Sequence, residues 1–472
     1  MLAESLLILG GGTVFLLLPL RYKTLVSFAL MTQLFDVGPN LIFGMYVWDF
    51  GAMMMIIIGI EVYLRRPLIL PPRAFYLVMI HVLIAWLAIC FFWSLLIYGY
   101  PIGHTIKASR HMICGYLMIV VFIRLFCVDP ESPIFLLTWL YRITFALMPL
   151  ILLQDVLQRP LLNGLYREYE GTLRSVPIIM PLCFLNMWIV LAKLLSSQRV
   201  AWHERIYFVL SLATIGMSFT RGVYVAAVLT ALFMVITMAR DRTLTSTSTL
   251  KIGGVAVVLL PVLMLTSTGQ LIGGRAINAL QLLTNNSPLP KRSDDNFHGR
   301  IGLLAERISL AISHNPLVGF GFIHEDDVPE ALRSQLRYGT ALTGTAADPT
   351  VYTRSYEYTD KYVLGLYTAD IAWADIVIAT GLVGVVLVIA LFISLSLDYY
   401  RHPRDKDPVS YPIRLGCLMQ FATMFVLMVD GDNFFGTVHI PMFLLATYTV
   451  LRSSHVPLPY LQPHIKPANL LG

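Results

Sequence analysis

Charge is what this sequence has least of. Only 13% of its 472 residues are charged and 57% are hydrophobic. Soluble globular domains carry about a quarter charged residues, so a water-exposed globule is excluded. A mean hydropathy of +0.71 says the same. Paired cysteines are lacking as well. Cys90, Cys114, Cys127, Cys183 and Cys417 all lie inside or at the ends of apolar runs, which implies packed thiols and excludes a disulfide framework. There is no Walker A loop, no metal-ligand cluster at zinc spacing and no serine-hydrolase elbow. Nor is there an internal repeat, or the inverted pair of broken helices that points to a secondary transporter. The first segment carries Glu4 where a signal peptide would be basic, and is read as a retained helix.

What the sequence has instead is apolar runs. Crossing the hydrocarbon core takes about 20 apolar residues as a helix. Runs near that length recur at 4–20, 24–42, 46–63, 75–97, 111–128, 134–156, 175–194, 205–219, 222–239, 251–267, 368–397, 413–430 and 434–452. The fold class that follows is an all-α polytopic membrane protein with about 12–13 transmembrane helices. Asp36 and Pro39 interrupt the second run, and Arg142 leaves open an interfacial helix ending within the sixth.

Orientation follows from the basic residues of the short loops. One alternate set holds Arg21 and Lys23; Arg65, Arg66 and Arg73; Arg199 and Arg205; Arg240, Arg242 and Lys251; Arg401, Arg404, Lys406 and Arg414; and a tail with Arg452 and Lys466. The other set is poorer, so the first is cytoplasmic and the long segment 268–367 lies outside. The net charge of +6 thus marks a membrane side and implies no nucleic acid. The organisation expected is an N-terminal bundle over 1–204, helices over 205–267, an outer domain over 268–367, C-terminal helices over 368–452 and a tail over 453–472. Ile301, Leu304, Ile308 and Ile312 recur at helical spacing in the outer domain, as do Leu332 and Leu336. Connections of that length usually carry function.

Charges at the outer membrane edge are the informative ones, because an ionisable group there needs a partner. Arg221 stands in Ser218-Phe-Thr-Arg-Gly222, a tight link between two apolar helices. It is read either as a snorkelling helix-end arginine or as a bidentate phosphate donor. His298-Gly-Arg300 opens an amphipathic helix that also holds Arg307. Asp370 and Asp375 stand five residues apart, about 140° around a helix, so at most one faces a given pocket. Either is a candidate base for a sugar hydroxyl or an ion-pair partner. Asp430 and Asp432 lie in an outer turn, with a turn-forming and a sugar-binding reading both open. His104, His111, His314, His324 and His439 are also placed on the outer side.

The order of these parts is distinctive: many spans, Ser-x-x-Arg-Gly at an outer face, Gly-Arg and then Asn315-Pro-Leu-Val-Gly-Phe-Gly321 in a long outer segment, and Gly381-Leu-Val-Gly384 in the following helix. Over roughly residues 205–395 it resembles the O-antigen ligase and Wzy-type polymerase superfamily. The resemblance implies a glycosyltransferase C-like fold and metal-independent chemistry without cofactor. The implied donor is an oligosaccharide on undecaprenyl diphosphate, used at the periplasmic face of the bacterial inner membrane, with a saccharide acceptor, membrane lipids and a chain-length regulator as partners. Arg221 and Arg300 would hold the diphosphate, Asp370 would be the base, and His298, Arg307, Asp430 and Asp432 would line the substrate. The Asn-Pro-Leu-Val-Gly-Phe-Gly stretch would serve backbone geometry. Ligase relatives often carry a His-Asn pair about eleven residues before Gly-Leu-x-Gly, where this chain has Asp370-Ile371. That departure favours a polymerase over a ligase acting on lipid A core. A flippase for the lipid-linked saccharide is the alternative from another class.

Overall fold

The computed structural model of the chain describes residues 12–32, 41–42, 45–65, 75–129, 131–159, 161, 166–169, 172–175, 179–217, 221–243, 296–336, 338–340, 355–357, 365–367, 371–401, 410–428 and 440–453. The helices are α1 (Leu20–Thr32), α2 (Val47–Arg65), α3 (Phe75–Leu96), α4 (Ile102–Val128), α5 (Glu131–Leu157), α6 (Met180–Leu195), α7 (Trp202–Met217), α8 (Arg221–Arg240), α9 (Asn296–His314), α10 (Glu330–Arg333), α11 (Ala372–Arg401), α12 (Ser410–Leu427) and α13 (Ile440–Ser453). Strand is confined, among the described residues, to three antiparallel hairpins: Leu41–Ile42 with Met45–Tyr46, Tyr166–Tyr169 with Thr172–Ser175, and Tyr338–Thr340 with Ser355–Glu357.

Six of these helices are long and apolar enough to cross a membrane, namely α2, α3, α4, α5, α8 and α11. They occupy six of the expected spans, and α5 runs unbroken through both Arg142 and Pro149. Shorter helices occupy five more: α1, α6, α7, α12 and α13. The expected span 251–267 and residues 4–11 of the span 4–20 lie outside the described residues. The outward faces carry large apolar side chains, such as Val228, Leu232 and Ile236 on α8 and Ile89, Phe92 and Leu96 on α3. A face of that kind suits hydrocarbon and not water. The chain is therefore an all-α, multi-pass membrane protein.

Several charges inside the bundle are paired, which lowers their cost in a low-dielectric setting. Arg110 on α4 donates to both oxygens of Asp49 on α2 at 2.7 and 2.8 Å. Lys23 on α1 meets Glu61 on α2 at 2.8 Å. The centre is α12, buried from Ser410 through Met424. It packs on α6, α8, α11 and α13. There Trp188 Nε1 donates to Thr423 Oγ1 at 2.9 Å, and Thr423 reaches Thr230 Oγ1 at 3.1 Å.

Candidate functional site

The helix directions bring several chain ends together. At one end of the bundle Tyr399 of α11 donates to Asp241, just past α8, at 2.9 Å, and Thr243 bonds Tyr411 of α12 at 2.6 Å. Since α8 and α11 both finish there, both begin at the opposite end. That end also receives the close of α12, where the amide of Trp373 donates to Met428 O at 3.3 Å. Arg221 is the first residue of α8, and Asp375 lies in the first turn of α11. Helix N-termini are electropositive and offer free amides, so two of them face the same end as these residues.

α9 packs against α11. Its buried stripe is Leu303, Arg307 and Ala311, with Leu304 and Ile308 partly covered, whereas Ile312 is 45% exposed. The helix expected from Ile301, Leu304, Ile308 and Ile312 is present, but rotated so that an arginine joins its inner face. Of the second expected amphipathic stretch only the single turn α10 is helical, with Leu336 buried beyond it.

The stretch after α9 explains its own composition. Asn315 Oδ1 accepts from the amides of Leu317 and Val318 at 3.0 and 3.3 Å, which starts the turn. Gly319 then takes φ +69° with its Cα against the backbone of α11, where an added Cβ would stand 2.5 Å from Ile378 O. On the other side α11 is broken at Gly381, with φ 64° and ψ −167°. The break separates Ile378 O from Leu382 N–H, partners in a regular helix. The loop takes both, Phe320 N donating to Ile378 O at 2.8 Å and Leu382 N donating to Pro316 O at 2.9 Å. Two glycine motifs 60 residues apart thus form one backbone joint (381 − 321 = 60). α3 closes it from a third side: Tyr98 OH donates to Gly319 O at 2.9 Å, and Phe322 N donates to Ser94 Oγ at 2.8 Å.

Beside the joint, residues 365–367 are clamped through their backbone. Arg307 is fully enclosed, its Nε donating to Leu366 O and its Nη2 to Gly365 O, both at 2.8 Å. Glu325 takes the amides of the same segment, Tyr367 N at 2.7 Å and Leu366 N at 3.1 Å. Tyr367 OH returns to Gly321 O at 3.2 Å. Burial pushes the Glu325 carboxyl above the ordinary glutamate range, against the pull of those two amides and of Arg333 and Arg307. Burial likewise lowers Arg307, opposed by Glu306, Glu325 and Asp375. Asp375 therefore lies within electrostatic reach of Arg307.

Of the residues expected at the site, Arg307 is enclosed and donates to the backbone carbonyls of Gly365 and Leu366. Arg221, His298 and Arg300 are placed as helix residues, the first opening α8 and the others in the first turns of α9, with their side chains outside the description. Asp370, Asp430 and Asp432 lie outside the described residues. Sequence reasoning missed Glu325, Ser94, Tyr98 and Tyr367; only Glu325, in the acidic run directly after the glycine motif, carried a signal. No curated protein matches the chain. Residues 206–389 match the family model described as O-antigen ligase, and over that span, from α7 to the middle of α11, the chain carries a domain of that family of membrane glycosyltransferases.

Proposed function

We propose that the protein is a polysaccharide polymerase of the bacterial inner membrane, acting on the periplasmic side. It transfers a growing glycan from undecaprenyl diphosphate to a second lipid-linked repeat unit. In this reading Arg221 and Arg300 hold the diphosphate, and Asp370 takes the proton from the acceptor hydroxyl. The new bond forms between that oxygen and the anomeric carbon. The bond to the diphosphate breaks, and its electron pair leaves on a phosphate oxygen whose charge the two arginines stabilise. His298, Asp430 and Asp432 contact the saccharides, and Arg307 keeps the approach to Asp370 in place through residues 365–367.

The observation that carries this reading is the shared end of α8 and α11. Arg221 opens one helix and Asp375 lies in the first turn of the other, so the reading is supported by two helix N-termini at one end of the bundle, a setting that favours an anion. The family description keeps a ligase reading in view, with lipid A core as acceptor. Asp370 in the place of the relatives' histidine weighs against it.

The test incubates purified protein, without nucleotide, with undecaprenyl diphosphate-linked repeat units and resolves the products by size. A ladder of longer lipid-linked chains is expected. Turnover only when lipid A core is added would assign the ligase. Movement of labelled substrate between leaflets with no lengthening would replace both with transport.

A further inference from the structure

A group of side chains next to the joint has no part in the transfer. His104, near the start of α4, and His324 and Asp326, on the segment after the glycine motif, each offer a ligand atom, and these atoms all lie within 4.8 Å of one another. Asp327 stands behind them, 223 residues from His104 in the chain, with both carboxylate oxygens 2.9 Å from His104 Nδ1. The fold, and not local spacing, assembles the group, which is why no short motif marks it.

The chemistry of the four groups is that of a cation site. A carboxylate on Nδ1 fixes the proton there and leaves the lone pair on Nε2, which is how metal-bound imidazoles are commonly oriented. The His104 and His324 rings lie 4.9 Å apart at 30°. At that distance the two rings can each present a nitrogen to one ion. Asp326 is 73% exposed along its side chain and lies 3.2 Å from His324 Nδ1, so its carboxylate stands within reach of an ion shared with the two rings. The backbone that carries His324 and Asp326 is held on both sides, by Phe322 N on Ser94 and by the Glu325 carboxylate on residues 366–367. Ligands on so fixed a frame lose little entropy on binding.

We propose that His104, His324 and Asp326 bind one divalent cation of the zinc class, with Asp327 orienting His104 from outside the ligand set. Two imidazoles and a carboxylate suit zinc and its neighbours, and are poor for calcium or magnesium, which take oxygen ligands. The ion would tie α4 to the segment that follows the joint. It stands apart from the proposed transfer, so the test does not depend on activity.

Full-length protein, freed of any affinity tag and held in detergent, is titrated with zinc alone and read by calorimetry, and by metal content after dialysis. One zinc per chain is expected. His324→Gln and Asp326→Asn should each abolish it, and Asp327→Asn should weaken it by about 10–100-fold. Zinc should also raise the melting temperature of the wild type, reversibly with chelator, and leave that of His324→Gln unchanged. Equal melting of wild type and Asp326→Asn without zinc would show that the exposed aspartate is not needed for folding. Absence of zinc uptake by the wild type, or uptake undiminished in a His104→Gln, His324→Gln double variant, would overturn the proposal.

Discussion

The amide of Phe320 donates to the carbonyl of Ile378 at 2.8 Å and so occupies the acceptor that Leu382 would use in an unbroken α11. A loop outside the helix completes the helix's own ladder, and the geometry depends on Gly381. At φ 64°, ψ −167° the backbone is in a region almost restricted to glycine, and a Cβ would come within 2.1 Å of Leu317 O. Gly381→Ala should therefore destabilise by at least about 3 kcal/mol. Gly103→Ala, where nothing lies within 4 Å of the added atom, is the control and should be neutral or stabilising by up to about 1 kcal/mol. Thermal unfolding in detergent compares them; equal melting of Gly381→Ala and wild type would remove the joint from the account.

Arg307 offers a test of bracing against binding. Lysine offers a single nitrogen where Arg307 reaches Leu366 O and Gly365 O from two nitrogens of a planar fork. Arg307→Lys should lose on the order of 2–4 kcal/mol of stability, the loss of two charge-assisted bonds in a buried site. Activity should fall with stability and recover on cooling. Full stability together with a raised substrate KM would instead mark Arg307 as a substrate ligand.

For Arg221 and Arg300 the expectation is the reverse. Arg221→Ala and Arg300→Ala should melt with the wild type and lose about 10²–10³-fold in turnover, the scale of one donor to a developing oxyanion. Lipid-linked repeat units should accumulate in cells. Normal polymer from either variant would end the arginine-clamp mechanism.

His314 sets a pH response. Its ring stacks on Phe320 at 4.2 Å and 5°, and burial lowers its pKa from 6.5. A depressed histidine is neutral in the folded protein and binds its proton more readily when unfolded. Its contribution to stability is thus complete above pH 6.5 and is lost as pH falls through the folded pKa. Melting temperatures measured from pH 7.5 down to 5 should decline less in His314→Phe, which keeps the stack without the titration. Parallel curves for the two proteins would assign the decline elsewhere.

Much of the architecture was legible from apolar runs, because a spanning helix must bury every backbone group within itself and therefore announces its length. The six spanning helices overlap the runs expected for them, and the motif order marked the span that the family match covers. The reading of Asn315–Gly321 as backbone geometry also matches the joint. What the sequence could not show is pairing at a distance. Arg307, expected among the substrate contacts, donates to main-chain carbonyls, which leave no trace in residue type. The amphipathic face of α9 was drawn through its isoleucines and missed that arginine for the same reason. Ser94 serves a backbone amide and was equally silent, while Glu325 stood out only as part of an acidic run.

The joint between residues 316–320 and 378–382 has a consequence for α11. With the loop in place, Ile378 O and Leu382 N–H are paired to the loop and not to each other. The helix thus has two ways of satisfying the same two groups, one kinked at Gly381 with the loop docked and one straight with the loop released. Loosening the joint would therefore act on the direction of α11 as well as on the loop.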